Sequence, residues 1–448
     1  MAAFALLLSG GPAHPQALTG RGAEPTAPVV LVPAVTGGDG GLPSTAGLQA
    51  ALGPLLADPS LGTLAFAVTD PGSGRLLLGQ NESAPSTPAS TTKLATTVAA
   101  LSLLPPQTRL TTRVVHGAGP ADIVLVGGGD PTLTGLPVDQ VRIGGAPVDA
   151  DSAPASLPDL ATRTATALKA AGLSTVHLGY DTSMYTGPAA HPFDDGTDIG
   201  PMSALMVDEG REVATQDIDA PVRVEDPTGQ AVAEFTALLA ARGIAVAGPP
   251  APEQAGAGAA EIARVQSPVL PRLVERALTT SDNTLAEAIG RQVALARQQP
   301  VSYDGAAAAV TQTLAGLGVP LAGVQLFDSS GLNVHNTIPP IVLADLLAMA
   351  ASPEHPQLRP VLTGLPIAGL TGTLEHRYTP AQGSADGAGV VRAKTGSLTG
   401  VNTLAGTLVD ADGRELAFAL MTRTPADANA ARAAMDRIAA RLVDCGCH

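Results

Sequence analysis

Ser90 and Lys93 stand three residues apart in the segment Ser-Thr-Thr-Lys. On a helix this spacing brings both side chains to one face, with Cβ atoms about 5–6 Å apart. A serine hydroxyl is a weak nucleophile and needs a base to take its proton. A lysine whose pKa is lowered by burial can be that base, and the free amides of a helix N-terminus suit a developing oxyanion. Taken alone, such a pair is more often an ordinary feature of a helix surface.

Two further segments carry polar groups that could face the same cleft. Lys394-Thr395-Gly396-Ser397 follows a strand-like run; a lysine there can hold a carboxylate, and Gly396 lets another backbone approach closely. Ser281 and Asn283 interrupt two helical stretches and can offer a hydroxyl and an amide. Considered separately, a β-turn and a helix N-cap are the simpler interpretations of these two segments.

The scarcity of lysine makes an active site a better explanation of these segments than ordinary structural features. The 448 residues include only three lysines, Lys93, Lys169 and Lys394, against 22 arginines (25 minus 3). Arginine does not lose its proton at ordinary pH, whereas a desolvated lysine can, so positions that keep lysine are candidates for chemistry. Residue frequencies alone would produce all three motifs with a probability of about 0.002. The motifs together therefore indicate one active site.

Composition excludes several other classes of protein. A net charge of −15, an aromatic content of 2% and the absence of Trp argue against nucleic-acid binding. The eight histidines show no metal-ligand spacing, so neither a metal nor a cofactor is expected. Cys445 and Cys447 have a single residue between them, and such close neighbours rarely pair. The sequence predicts a frayed C-terminal tail, with metal binding by Cys-Gly-Cys-His as the alternative.

The pattern of apolar residues and turns predicts an α+β fold. A strand, turn and strand are expected within 64–78, a helix from Ser90 to Leu104, two helical stretches within 267–296, a hairpin within 404–422 and a helix over 426–443. Between them, short strands separated by Gly and Pro turns predict an inserted block over 107–265. The chain thus divides into an N-terminal export or linker segment (1–43), a discontinuous main domain (44–106 and 266–448) and the insertion.

The N-terminus favours export. An apolar run over 2–8 is followed by small residues, as at the end of a secretory signal. Arg21 is the first basic residue, so the expected basic start of a signal is missing from this sequence. We expect a protein of the cell envelope, released or anchored through an upstream segment; no later run reaches the ~20 apolar residues of a spanning helix.

In the order Ser90-x-x-Lys93, Ser281-x-Asn283, Lys394-Thr-Gly, the motifs resemble those of penicillin-recognising serine enzymes, which include DD-peptidases and serine β-lactamases. The first two motifs are 191 residues apart (281 minus 90), and a large insertion there is typical of class C low-molecular-mass penicillin-binding proteins. The segments 127–133, 328–332 and 365–374 are also similar to that family. The resemblance covers about 44–443. It implies a penicillin-binding transpeptidase-like (serine β-lactamase-like) domain with a large β-rich insertion.

The same resemblance implies a role for each matched residue. Ser90 is the acylated nucleophile, Lys93 the acylation base, and Ser281 the relay of a proton toward the leaving amine. Asn283 holds the substrate amide or Lys93. The substrate's terminal carboxylate is bound by Lys394, Thr395, Ser397 and Thr399, while Gly396 admits the substrate chain. The backbone amides of Ser90 and Ser397 form the oxyanion hole.

The implied reaction is cleavage of D-alanyl-D-alanine, and of cross-links, in peptidoglycan stem peptides, with β-lactams as covalent inhibitors. A β-lactamase is one alternative, although the Glu-x-x-x-Asn pattern of a deacylating loop is missing from the sequence. A non-catalytic cell-wall-binding protein is the other, and the intact motifs argue against it. The segment Asn333-Val334-His335 departs from many relatives, which puts the stem preference in doubt.

Overall fold

The computed structural model describes residues 41–194, 196–215 and 220–448. The predicted export and linker segment, 1–43, therefore lies outside the described residues except for its last three. The helices are α1 Thr45–Leu56, α2 Thr92–Leu103, α3 Leu157–Ala170, α4 Pro227–Ala241, α5 Leu270–Thr279, α6 Asn283–Ala296, α7 Tyr303–Gly316, α8 Pro340–Ala351, α9 Arg359–Thr363 and α10 Ala428–Val443. The strands are β1 Thr63–Asp70, β2 Arg75–Gln80, β3 Thr111–His116, β4 Asp122–Val126, β5 Arg142–Ile143, β6 Ala146–Pro147, β7 Thr175–Asp181, β8 Ala245–Val246, β9 Ala251–Pro252, β10 Glu261–Gln266, β11 Arg392–Leu398, β12 Val401–Val409 and β13 Glu415–Arg423.

An antiparallel sheet of five strands, in the order β11-β12-β13-β1-β2, joins the two ends of the chain. Successive side chains of a strand point to opposite faces, and β13 uses both faces. Phe418 and Leu420 belong to one core, with α1 and α10, whereas Ala417, Ala419 and Met421 belong to the other. Small side chains on the second face allow α8 to lie close against β1 and β13.

Helix α2 is the centre of the second core. Every residue from Thr92 to Leu101 is buried, because α5, α6, α7 and α8 surround this helix. The predicted helix from Ser90 to Leu104 is confirmed, with its first turn tightened into a 3₁₀ turn, Ala89–Thr91. Pro105 and Pro106 follow its end, as expected for residues that cannot continue a helix.

The segment between α2 and α5 forms a second sheet, ordered β10-β3-β4-β7-β8, with β9 also paired to β7. Short strands are present as predicted, except that the expected strand over 222–224 is reduced to an isolated bridge between Arg211 and Arg223. In addition α3 and α4, which the pattern of short strands did not predict, cover the sheet and share a core with it. The pairs β4–β7, β7–β8 and β7–β9 are parallel. The strands β5 and β6 form a separate small hairpin.

The prediction of a frayed, unpaired C-terminal tail is wrong. The sulfur atoms of Cys445 and Cys447 are in bonding contact, and Cys445 is buried in the core that contains α1 and α10. The backbone amide of Ser44 donates to the carbonyl oxygen of Cys447 at 2.6 Å. The tail is thus held by the first helix of the described chain. Within the described residues, no helix has both the length and the apolar character to cross a bilayer.

Candidate active site

Ser90 lies in the 3₁₀ turn that leads into α2, half-buried. The residue before it, Ala89, has φ +47°, a conformation that residues other than glycine rarely adopt. Gly331 presses against this turn so closely that a Cβ on it would overlap the carbonyl oxygen of Ala89. Strained backbone of this kind persists only where the surrounding structure imposes it, and it clusters at functional sites.

The Lys93 side chain is fully buried and has three oxygen partners. Its Nζ lies 2.9 Å from Ser90 Oγ, 2.7 Å from Asn283 Oδ1 and 2.8 Å from the carbonyl oxygen of Ser330. Burial lowers the pKa of Lys93 to about 8, although the nearby carboxylates, led by Asp328, oppose this shift. A useful fraction of neutral amine is therefore present near neutral pH.

Two buried carboxylates fix the carbonyl that binds Lys93. Glu287 Oε1 accepts the backbone amides of Ser329 and Ser330, both at 2.9 Å. Asp328 accepts the backbone amide of Gly331 at 2.9 Å and the side-chain amide of Asn336 at 2.6 Å. These hydrogen bonds fix the backbone conformation of residues 328–331, and the Ser330 carbonyl oxygen is thereby oriented toward Lys93. The two acids act on Ser90 only through that lysine.

The same two acids, with His191, are the one group in the described part of the chain whose ligand atoms are close enough together for a metal ion. His191 Nε2 already lies 3.1 Å from Asp328 Oδ2, and Arg291 pairs with Glu287 at 3.2 Å. Since these oxygens are engaged by His191, Arg291 and backbone amides, we assign the group a structural role.

Ser281 lies in the connection between α5 and α6, with φ +60°. Asp282 then caps α6 by accepting the amide of Leu285 at 2.8 Å. Lys394 Nζ donates to Ser281 Oγ and to the carbonyl oxygen of Thr395, both at 2.8 Å. Lys394 is fully buried; burial, with the charge of Lys93 nearby, holds its pKa well below the usual value. Two buried lysines thus flank Ser281 and Ser90.

The strand that carries Lys394, β11, is an edge strand, with β12 on one side only. Ala393 directs its amide away from β12, toward the carbonyl oxygen of Pro366 at 3.0 Å. Alternate residues of an antiparallel strand point their backbone groups the same way. Thr395 and Ser397 therefore present their amides and carbonyls at the open edge, where an extended peptide can add as a further strand.

The remaining predicted residues follow along β11. The Thr395 hydroxyl lies 2.7 Å from that of Thr373, and Ser397 Oγ accepts from Arg432 Nη2 at 3.1 Å. Thr399 lies beyond the strand, in the exposed turn to β12. The structure thus brings eight of the nine predicted residues into one connected site; Thr399 is at its outer end.

Gly396 is a point of close approach between β11 and the turn that carries Ser90. A Cβ built there would lie 2.9 Å from both the Pro88 carbonyl oxygen and the Ser90 amide nitrogen, and would overlap the Thr403 hydroxyl. That hydroxyl already donates to Pro88 at 2.9 Å. The backbone amide of Ser90 is therefore close to the open edge of β11, as an oxyanion hole shared with Ser397 requires.

Gly396→Ala is accordingly expected to displace β11 from Ser90. We expect the free energy of unfolding to fall by about 1–3 kcal/mol, as overpacking does, and cleavage of the substrate that the resemblance implies to fall more than stability does. Thermal denaturation and steady-state kinetics measure the two effects. Gly256→Ala is the matched control, because a Cβ there meets open space. Wild-type activity in the Gly396 variant would show that the close approach is not needed.

The sequence motifs did not assign roles to several residues of this site. Glu287, Thr373, Thr403 and Arg432 act through contacts made across the fold, which no local pattern encodes. Asp328 lies in the Asp-Ser-Ser-Gly-Leu segment that carries part of the resemblance. That resemblance was the available signal for a loop that takes part in the site beside Lys93.

Solved structures with the same fold include penicillin-binding protein 4 from Haemophilus influenzae. It aligns with a TM-score of 0.70 and 21% identity over 88% of this chain and 97% of that one. A predatory peptidoglycan endopeptidase from Bdellovibrio bacteriovorus aligns with a TM-score of 0.53 and 16% identity over 83% and 90%. These alignments define the fold, which this chain shares with both solved structures.

The sequence profile of the D-Ala-D-Ala carboxypeptidase 3 (S13) family matches residues 48–220 and 212–442. A carboxypeptidase from Mycobacterium tuberculosis is 40% identical over 416 residues, 90% of this chain and 85% of that protein. A carboxypeptidase from Mycolicibacterium smegmatis is 39% identical over 415 residues, with the same shares. The chain belongs to the D-Ala-D-Ala carboxypeptidase 3 (S13) family and is a serine-type D-Ala-D-Ala carboxypeptidase, which confirms the predicted resemblance.

Proposed function

We propose that Ser90 is the acylated nucleophile of this peptidase and that neutral Lys93 is its base. The observation that carries the proposal is the 2.9 Å distance between Lys93 Nζ and Ser90 Oγ, with Lys93 fully buried. A neutral amine has two N–H groups and one lone pair. The Asn283 and Ser330 oxygens bind the two N–H groups, so the lone pair faces Ser90.

Acylation then proceeds without a metal or cofactor. Ser90 Oγ attacks the carbonyl carbon of the penultimate D-alanine while Lys93 takes the hydroxyl proton. The backbone amides of Ser90 and Ser397 stabilise the oxyanion. The C–N bond breaks, and Ser281 passes a proton to the leaving amine, which departs as D-alanine. The proton that Ser281 gives up is replaced by the one that Lys93 took from Ser90, while Lys394, its partner at 2.8 Å, holds the Ser281 hydroxyl in place.

The terminal carboxylate of the substrate is bound around Thr395. Lys394, Thr395 and Ser397 lie there, and Arg432 adds a guanidinium beside Ser397. Thr399, at the exposed turn, contributes at the outer end of this subsite. Water next attacks the Ser90 ester, releasing the shortened peptide and restoring the hydroxyl. A β-lactam acylates Ser90 in the same way, and its ring-opened acyl group stays on Ser90 far longer than the peptide does.

We place the substrate in the peptidoglycan stem peptide and the enzyme outside the cytoplasmic membrane. Three observations support this placement: the family to which the chain belongs, the apolar run near its N-terminus and the bonded pair Cys445 and Cys447. Disulfides are typical of oxidising, extracytoplasmic compartments.

The test combines a synthetic peptide ending in D-alanyl-D-alanine with intact-protein mass spectrometry after exposure to penicillin. We expect release of D-alanine, and one penicillin adduct that peptide mapping assigns to Ser90 and that persists for many turnovers of the peptide. An adduct on another residue would refute the assignment of the nucleophile. Rapid hydrolysis of penicillin without peptide cleavage would identify a β-lactamase instead.

A further inference from the structure

A buried carboxylate of the insertion, that of Glu209, is ion-paired to the main domain. The Glu209 side chain is 3% exposed and pairs with Arg211 and Arg223 of the insertion at 3.0 and 3.4 Å. It also pairs with Arg276, which belongs to α5 of the main domain. Burial alone would raise the pKa of Glu209, but the charges of Arg276, Arg211 and Arg223 outweigh it and hold that pKa well below its usual range. Glu209 is therefore ionised where the two parts of the chain meet.

The turn that carries Glu209 has a strained backbone. Asp208 and Glu209 have φ values of +48° and +58°, which residues other than glycine rarely adopt. The Glu209 amide donates to the Pro131 carbonyl oxygen at 2.9 Å. The Asp208 carboxylate accepts the Thr134 hydroxyl at 2.6 Å and the Gly135 amide at 2.9 Å. Because strain of this kind persists only where the surrounding structure imposes it, these bonds fix the position of the Glu209 carboxylate.

Arg276 connects Glu209 to the loop that contains Ser281. Its Nη2 pairs with Glu209, and its Nε lies 3.7 Å from Asp282 Oδ2. Asp282 directly follows Ser281 and caps α6 with its other carboxylate oxygen. The Arg276 carbonyl oxygen accepts the backbone amide of Thr280 at 3.0 Å and its hydroxyl at 2.8 Å. Arg276 thus contacts the residues immediately before and after Ser281.

Ser281 depends on this support more than Asn283 does. Ser281 has φ +60°, and its hydroxyl accepts from Lys394 at 2.8 Å. Asn283 is the first residue of α6 and has contacts of its own, to Lys93 at 2.7 Å and to the Asp198 carbonyl oxygen at 3.2 Å. A small rotation of the turn therefore displaces the Ser281 hydroxyl before it disturbs Lys93. A misplacement of about 1 Å can slow a reaction about 10²-fold.

We propose that Glu209 is a positioning residue for the proton that Ser281 gives to the leaving amine. It acts through Arg276, which holds Asp282 and thereby the Ser281 turn. The inference rests on the proposed function, in which Ser281 protonates the amine as the C–N bond breaks. The insertion then takes part in the chemical step, although the nucleophile and its base both belong to the main domain.

Two substrates that share one acyl peptide and differ in the leaving group test this proposal. The first ends in D-alanyl-D-alanine and releases an amine, which must be protonated to leave. In the second, sulfur replaces the nitrogen of the scissile amide, and a thiol with a pKa of about 8.5 leaves as the thiolate. The rate constant of leaving-group release in a single turnover is measured for each. Glu209→Gln should slow the amide about 10–100-fold and the thioester less than about threefold.

Further variants separate positioning from folding. Arg276→Lys keeps a charge opposite Glu209 but loses the planar fork that also reaches Asp282. It should give the same selective loss, and it tests the proposal even if Glu209→Gln does not fold. Glu209→Asp keeps the negative charge and should lose less than Glu209→Gln. Asp58→Asn is the matched control, because Asp58 follows α1 and pairs with Arg437 of α10 at 2.8 Å; both rates should be unchanged.

Ser281→Ala distinguishes this inference from the proposed function. It should slow the amide selectively, and Glu209→Gln added to it should cause little further loss, because both changes act on one proton transfer. If Ser281→Ala is selective but Glu209→Gln and Arg276→Lys are not, Glu209 has no positioning role and the proposed function stands. An equal loss on both substrates in those two variants refutes the inference as well. If Ser281→Ala does not slow the amide, the proton role of Ser281 in the proposed function is wrong, and the inference fails with it.

Discussion

Replacing Ser90 with alanine is expected to abolish both D-alanine release and covalent labelling by penicillin. The substitution removes the only atom that forms the acyl-enzyme, while Lys93, Asn283 and the backbone amides stay in place. Loss of an activated nucleophile lowers kcat by about 10⁴–10⁶-fold in well-studied serine peptidases, and we expect a similar fall here. Labelling with a fluorescent penicillin and the release of D-alanine measure the two activities separately.

Ser86→Ala is the control for this substitution. Ser86 lies four residues earlier and its hydroxyl donates only to the nearby Ala84 carbonyl at 3.1 Å, so both activities should remain. Substrate binding should also survive in Ser90→Ala, because the edge of β11 is unchanged. Covalent penicillin labelling that persists in Ser90→Ala would show that another residue is the nucleophile.

Lys93→Met is expected to lower the acylation rate by roughly 10³–10⁴-fold, a loss within the range that acid–base groups contribute. Methionine fills a similar volume in this buried site but cannot accept the Ser90 proton. The Asn283 and Ser330 oxygens also lose a donor, which lowers the free energy of unfolding by about 1–3 kcal/mol. The second-order rate constant for penicillin acylation measures the chemical effect, and thermal denaturation measures the structural one.

Lys169→Met provides the matched control, since Lys169 is the third lysine and is exposed on α3. It should acylate at the wild-type rate. Rapid acylation in Lys93→Met, with the fold intact, would show that another group is the base. Lys394, the other buried lysine of the site, would then be the first candidate.

The pH dependence of the wild-type enzyme gives an independent readout of Lys93. The neutral amine is the active form, so kcat/KM should rise with pH through the Lys93 pKa of about 8 and then level. The pKa of Lys93 is shifted downward because burial favours the neutral amine over the charged one. The neutral, active form is therefore reached at a lower pH than for an exposed lysine. A wild-type profile that is flat between about pH 6 and about pH 10 would contradict a lysine base.

Sequence periodicity predicted those parts of the site that depend on local geometry. Ser90 and Lys93 meet because a helical turn joins residues three apart, and β13 alternates between two cores as its pattern requires. The contact between Lys394 and Ser281 spans 113 residues, and only the resemblance to a known family indicated it. The Ser330 carbonyl could not be predicted, since backbone groups carry no sequence signal of their own.

The missed helices of the insertion have a similar explanation. In α3 the buried residues Leu157, Leu160, Ala161, Thr164 and Leu168 do follow a helical period. Alanine and threonine, however, differ little in hydrophobicity from the exposed residues around them, so the helical period is weak. The neighbouring Gly and Pro residues therefore led to a prediction of turns and short strands. The buried C-terminal tail was missed because it depends on a bond from Ser44 to Cys447, across 403 residues (447 minus 44).

The central sheet takes strands from both ends of the chain, and this arrangement orders the appearance of activity in time. Ser90 is synthesised 304 residues before Lys394 (394 minus 90). At roughly 5–20 residues per second, that interval lasts about 15–60 s. Until β11, β12 and β13 have been made and have paired with β1, the serine turn lacks its facing strand. A nascent or truncated chain is therefore catalytically inactive, and activity begins only when synthesis is nearly complete.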